Sequence, residues 1–117
     1  MRRLIINADD LGFTSGVNRA IVTAHTRGIV TSSTLMATGP AFAEAVQLAE
    51  TVPQLSIGCH IVLIDGEPVL GAEQIPSLAS RASTARFREG MKKLAARARA
   101  GRIDPSGIAA EARAPIR

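Results

Sequence analysis

Three short aliphatic runs alternate with two stretches of helical periodicity inside the first 64 residues, and this alternation narrows the fold more than any other feature. "RLIINA" (3–8) is apolar and bounded by charge, which reads as a buried strand. Thr14 or Ser15 can cap a helix whose Val17, Ala20, Ile21 and Ala24 recur at helical spacing and which Gly28 can close. "GIVTSSTLMA" (28–37) is rich in β-branched residues and predicts a second strand. Gly39-Pro40 opens a second helix with Phe42, Ala45, Val46 and Ala49 on one face, and Pro53 ends it. "LSIGCHIVL" (55–63) predicts a third strand. Near-continuous apolar strands joined by short helical connections are the pattern of a parallel sheet covered by helices, with right-handed crossovers.

Three strands do not make such a fold complete. An open three-stranded parallel sheet leaves two exposed edges and half-covered faces. A closed β/α barrel needs about 250 residues, and this chain has 117. The expected class is therefore α/β, a parallel-sheet β/α barrel present as roughly its N-terminal half. After Leu63 the pattern loosens. "DGEPVLGAEQIPSL" (65–78) predicts a long irregular loop, of the kind that is usually functional or mobile. Phe87, Met91, Leu94, Ala95 and Ala98 predict one face of a basic helix over 86–102 that Gly101 can end. Asp104-Pro105 starts another helix, which meets Pro115. The organisation expected is a single partial domain over 1–117. It comprises three βα-type units (1–64), an irregular loop (65–80) and a basic helical segment (81–117).

Charge separates these parts. Residues 1–80 carry a net −3 and residues 81–117 a net +7, so the basic excess belongs to the C-terminal third. That third lacks the interleaved aromatics that stack on bases, and lysine and arginine on an outer helix face are commonplace, so nucleic acid is not the expected partner. No apolar run approaches the about 20 residues that cross a bilayer, and "MRRLIINADD" is too short in its apolar part for a signal peptide. The single cysteine, Cys59, excludes an internal disulfide and makes the cytoplasm the expected compartment.

Catalytic groups in parallel α/β folds gather at the carboxyl ends of strands. Asp9 and Asp10 are expected just past the first strand, and His60 in the second half of the third. Adjacent carboxylates repel, and burying either one without a partner is costly. A divalent ion such as Zn²⁺ or Mg²⁺ resolves the difficulty, since carboxylate and imidazole are its ligands and its charge stabilises the ionised acid. One aspartate can then bind the ion while its neighbour takes a proton from water. Residue types alone leave open the alternative that both acids solvate a turn and His60 bonds to backbone within the core.

Longer stretches carry more information than the acid pair. "INADDLGFTSGVNRAI", "GIVTSSTLMATGPAFAEAV" and "PQLSIGCHIVLIDGEPVL", in order over residues 3 to about 78, resemble the YdjC-like (ChbG-type) carbohydrate deacetylase family. "HIVLIDGEPVL" followed by "IPSL" looks closest to its hopanoid-biosynthesis-associated branch. The resemblance implies a metal-dependent hydrolase on an incomplete barrel, removing acetyl groups from N-acetylated amino sugars. By the same resemblance Asp10 is similar to the metal-binding aspartate, His60 to the first metal histidine and Asp9 to the general base. The family supplies a further metal histidine from the second half of its barrel. The only other histidine here, His25, lies mid-helix and does not match a ligand position. The implied site is incomplete; a second chain associating through exposed sheet edges can complete it, and the rival expectation is a non-catalytic role as an interaction and assembly module.

Other residues invite plainer readings. Cys59 is expected as a small buried hydrophobe. Asn18 is expected to support the loop–helix junction. Ser32, Ser33 and Thr34 either line a pocket at a strand end or satisfy one another within the strand. Met36 and Phe42 are expected in the core, and Asp65-Gly66 in a turn.

Overall fold

The computed structural model describes residues 2–80, 86–87 and 90–116. The chain forms two compact units, Met1–His60 and Ile61–Arg117.

The first unit is a three-stranded parallel sheet in the order β1 (Asn7–Leu11), β2 (Ser32–Leu35), β3 (Ser56–Cys59), with α1 (Ser15–Thr26) and α2 (Phe42–Glu50) as the connections. Thr14 caps α1, its hydroxyl accepting from the Val17 N–H. Leu11, Ile21, Ala45, Val52 and Leu55 form the core, with Ala8, Val17, Val22, Val30 and Leu35 packed around them. Burying a leucine such as Leu11 contributes about 1.5–3 kcal/mol. The buried stripe of α1 carries Asn18 where periodicity suggests Ala20, which is exposed.

The strands are shorter than their apolar runs, and the first is displaced. β1 covers 7–11 rather than 3–8, so both acids lie inside it, and Leu4 and Ile5 are 77% and 79% exposed. Apolarity marks what can be buried, whereas strand pairing belongs to the backbone. The ladder begins where the N–H groups of Thr31 and Ser32 both donate to the Ile6 carbonyl, and it runs on through the acids. β3 is exposed along its whole length. Phe42, expected in the core, sits exposed at the start of α2, and Met36 is half-buried.

The second unit is built differently from its expectation. Residues 65–78 form no helix or strand, yet Ala72, Ile75 and Leu78 are buried with Ala79, Phe87 and Ile103 in a separate core. The irregular segment is thus packed rather than loose. A two-residue pair, β4 (Ala79–Ser80) with β5 (Arg86–Phe87), replaces the start of the predicted basic helix. Phe87 is extended because its ring enters the core while its N–H donates to the Gly66 carbonyl. Residues 88–89 of the expected helix, and 81–85 of the basic segment, lie outside the described residues. The basic helix α3 runs Met91–Arg99 and buries no residue, and Leu94 is the residue that leans on the core. It ends in a Schellman turn: Gly101, at φ 66°, donates to the Ala98 carbonyl and Arg102 to that of Arg97. Asp104 caps α4 (Pro105–Arg113), with Pro105 in its first turn, and a 3₁₀ turn over Ala114–Ile116 follows. Glu111, buried in α4, accepts from the N–H groups of Val69 and Leu70 at 2.7 and 3.0 Å. No helix among the described residues is long and apolar enough to cross a membrane.

Candidate functional site

A β-bulge shapes the carboxyl end of β1. Asn7 pairs with Ser32 and Ala8 with Ser33, but Leu11 pairs with Leu35. Asp9 and Asp10 therefore stand together opposite Thr34, two residues against one. Asp10 accommodates the extra residue by adopting φ 68°, a left-handed conformation that aspartate tolerates better than most side chains. Successive strand residues point to opposite faces. An unbulged β1 would send Asp10 toward the face occupied by Ala8 and turn Leu11 away from it. The bulge instead keeps Leu11 almost wholly buried and leaves the Asp10 side chain 54% exposed.

The loop after β1 is held from several sides. Phe13 N–H donates to Asp10 O, closing a turn in which Gly12 has φ 98°. Asn18, fully buried, accepts from Gly12 N–H at 2.7 Å and donates to the carbonyl of Ala41 at 3.1 Å and to Glu44 at 3.4 Å. Gly12 O accepts from Ala41 N–H, and Met36 N–H donates to Leu11 O. Asn18 thus ties the first loop to the second, which is the junction role expected of it.

Above this platform the polar side chains meet. His60 follows β3 directly, with its N–H donating to Leu35 O, and its Nε2 lies 3.5 Å from Asp10 Oδ1. Thr34 Oγ1 donates to Asp9 Oδ1 at 2.8 Å and lies 3.0 Å from His60 Nδ1. Asn7 Nδ2 donates to the same Asp9 oxygen at 2.8 Å, and Ser32 Oγ donates to Asn7 Oδ1 at 2.7 Å. Ser33, on the opposite face, is buried and donates to Ala8 O. Folding therefore collects Asp9, Asp10 and His60 around Thr34. His25 lies elsewhere: its Nδ1 donates to Val30 O at 2.8 Å, which ties the last turn of α1 to the connection before β2. Cys59, expected buried, is an exposed free thiol, because β3 forms the edge of the sheet.

Among the described residues no three His, Cys, Asp or Glu side chains stand together as a metal-holding group. The pair Asp10–His60 can nonetheless supply two donors. Two ligands of one tetrahedral ion, at about 2.0–2.2 Å each, stand roughly 3.3–3.5 Å apart, which is the separation of Oδ1 and Nε2. That separation exceeds the usual N–H···O hydrogen bond. The roles of Asn7, Ser32 and Thr34 were weakly signalled in the sequence. Residues two apart share a strand face, so Asn7 and Asp9, and Ser32 and Thr34, could have been grouped by that rule.

Comparison with known proteins places this geometry in context. A family model described as YdjC-like protein matches residues 3–117. The chain is 47% identical over 92 residues to the carbohydrate deacetylase of Brevibacillus brevis, covering 79% of the chain and 36% of that protein. It is 45% identical over 84 residues to the carbohydrate deacetylase of Enterococcus faecalis, covering 69% and 32%. The chain thus spans about a third of the length of these curated relatives. A crystal structure from E. faecalis V583, described as a cellobiose-phosphate cleavage protein, aligns at a TM-score of 0.77 and 35% identity, over 96% of this chain and 41% of that one.

Proposed function

The chain belongs to the YdjC-like family, and from that premise we propose that it carries the first part of the active site of a metal-dependent carbohydrate deacetylase. The reaction is hydrolysis of the amide of an N-acetylated amino sugar, on a β/α barrel whose first three strands are β1–β3. The observation that carries the reading is the convergence of Asp9, Asp10 and His60 at one end of the sheet.

Asp10 and His60 would hold the ion, Mg²⁺ or Zn²⁺. When bound, such an ion supplies Lewis-acid polarisation of the acetyl carbonyl and a water acidic enough to lose its proton near neutral pH. Asp9 acts as general base. Its Oδ1 already accepts from Thr34 and Asn7, so Oδ2 is the oxygen that takes the proton. The half-exposed Asp10 and the His60 side chain, 25% exposed, leave the cluster open to a sugar. A further histidine ligand would come from the later part of the family's barrel. The reducing cytoplasm suits the free thiol of Cys59.

Calorimetric titration of Zn²⁺ and Mg²⁺ into the chain tests the ligand assignment. Asp10→Asn and His60→Ala should each abolish binding. Wild-type-like affinity in both variants would refute it. Acetate release from an N-acetylated amino-sugar oligomer by the full-length enzyme should fall at least about 100-fold in Asp9→Asn.

The exposed edge of β3 favours one rival, an assembly module that adds strands through that edge. Light scattering distinguishes the two: concentration-dependent dimers without metal binding support assembly.

A further inference from the structure

The hydroxyl of Thr34 has one proton and two claimants. Asp9, as a carboxylate, can only accept, and its Oδ1 lies 2.8 Å away, so the contact requires the threonine proton. The remaining contact, 3.0 Å to His60 Nδ1, must then run the other way, with the ring donating to a hydroxyl lone pair. The direction is reinforced behind Asp9. Asn7 Nδ2 donates to the same Oδ1, and Ser32 Oγ donates to Asn7 Oδ1, so every proton along this line is already assigned.

We propose that Thr34 is a positioning residue that fixes neutral His60 in its Nδ1–H tautomer, so that Nε2 turns an unprotonated lone pair toward Asp10. A ring in the other tautomer would present N–H at Nε2 and could not act as a donor to a cation there. One side chain thereby orients both the assigned base and the assigned histidine ligand, because its donating and accepting sides are committed to Asp9 and His60. The significance for metal binding rests on the deacetylase reading above, whereas the tautomer itself does not.

Side-chain ¹H–¹⁵N correlation of the intact ¹⁵N-labelled chain at about pH 8, above the ordinary histidine range, reads the tautomer directly. The chain has two histidines, and His25 is an internal reference, since its Nδ1 faces a carbonyl that can only accept. Both rings should give the Nδ1–H pattern. In Thr34→Val, His60 should lose that pattern while His25 keeps it, and Thr34→Ser should restore it. An Nε2–H pattern for His60 in the wild type, or an unchanged His60 in Thr34→Val, overturns the proposal. If Thr34→Val disturbs His25 as well, Thr34→Ala measured against Thr34→Ser takes its place under the same criteria. Zn²⁺ titration separates the two layers. Affinity about 10–100-fold weaker in Thr34→Val, recovered in Thr34→Ser, supports positioning of a ligand. Equal Zn²⁺ affinity in the wild type and Thr34→Val overturns that role. No Zn²⁺ binding by the wild type refutes the metal reading, and the tautomer spectra then decide the proposal alone.

Discussion

Asp10 Oδ1 and His60 Nε2 lie 3.5 Å apart although fifty positions separate them in the chain. Their strands are not neighbours: β2 runs between them. They meet because the bulge lifts Asp10 off the core face and because His60 leaves β3 at its carboxyl end, both above Thr34. Each part of this arrangement can be tested separately.

The backbone of Asp10 carries a cost independent of its charge. At φ 68°, alanine is strained by roughly 1–2 kcal/mol relative to a residue that tolerates the left-handed region. Asp10→Gly should therefore unfold at higher denaturant than Asp10→Ala, by about 1 kcal/mol, with Asp10→Asn also above alanine. Equal stability of Gly and Ala variants in urea melts would contradict the bulge geometry.

Asn18 gives a pH-dependent prediction. Asn18→Asp replaces the amide donor with an acceptor facing the Ala41 carbonyl and Glu44. The Gly12 N–H would favour the ionised form, but burial, that carbonyl and the nearby acid outweigh it and push the new carboxyl's folded pKa above its unfolded value. The protonated form can donate as the amide did. The variant's deficit against wild type should accordingly be largest near neutral pH, on the order of 1–3 kcal/mol, and shrink as pH falls through the raised folded value. Melts across pH 4 to 8, roughly the interval around a raised carboxyl, check the sign.

Two glycines should respond oppositely to alanine. A Cβ on Gly39 would run into the backbone carbonyl of Gly12, where two loops cross beside the site. Gly39→Ala should cost about 1–3 kcal/mol. Gly16, in the first turn of α1, would place a Cβ in ordinary van der Waals contact with Thr14 Oγ1 at 3.8 Å, without a clash. Gly16→Ala should stabilise by about 0.5–1 kcal/mol. Thermal melts of the two variants give the comparison.

Asp104 gives an acid-side prediction for the second unit. The Ser106 hydroxyl, then its backbone N–H, hold the Asp104 carboxyl below the ordinary aspartate range. Its folded pKa is depressed. The stability it contributes is therefore full above the unfolded value of about 3.9 and lost as pH falls through the lower folded value. Asp104→Asn should flatten the acid limb of α4 unfolding followed by amide exchange. An unchanged limb would remove Asp104 as its source.

Several helix starts and the second strand were legible because their signals are local. Thr14 before an apolar helix, Asp104 before Pro105, and β-branched runs between helices each report on a few neighbouring residues, and each appears where it was expected. The meeting of acids and histidine was suggested by the strand order of a parallel sheet and reinforced by the longer stretches of resemblance. Local patterns could not reveal the bulge, since register depends on the partner strand, and so they misplaced β1. They could not reveal the core of the second unit either. Ala72, Ile75 and Leu78 are buried without a repeating period, and Phe87 leaves its expected helix for a short strand. Cys59 was misjudged because burial on an edge strand depends on what lies beside it.

The bulge has one more implication. Without Asp10 the segment would read Asn-Ala-Asp-Leu, which alternates strictly and delivers its leucine to the interior unaided. The second acid is thus an interpolated syllable in a line that scans without it. Excising that residue, rather than replacing it, should leave a sound sheet that no longer sets a carboxylate beside His60.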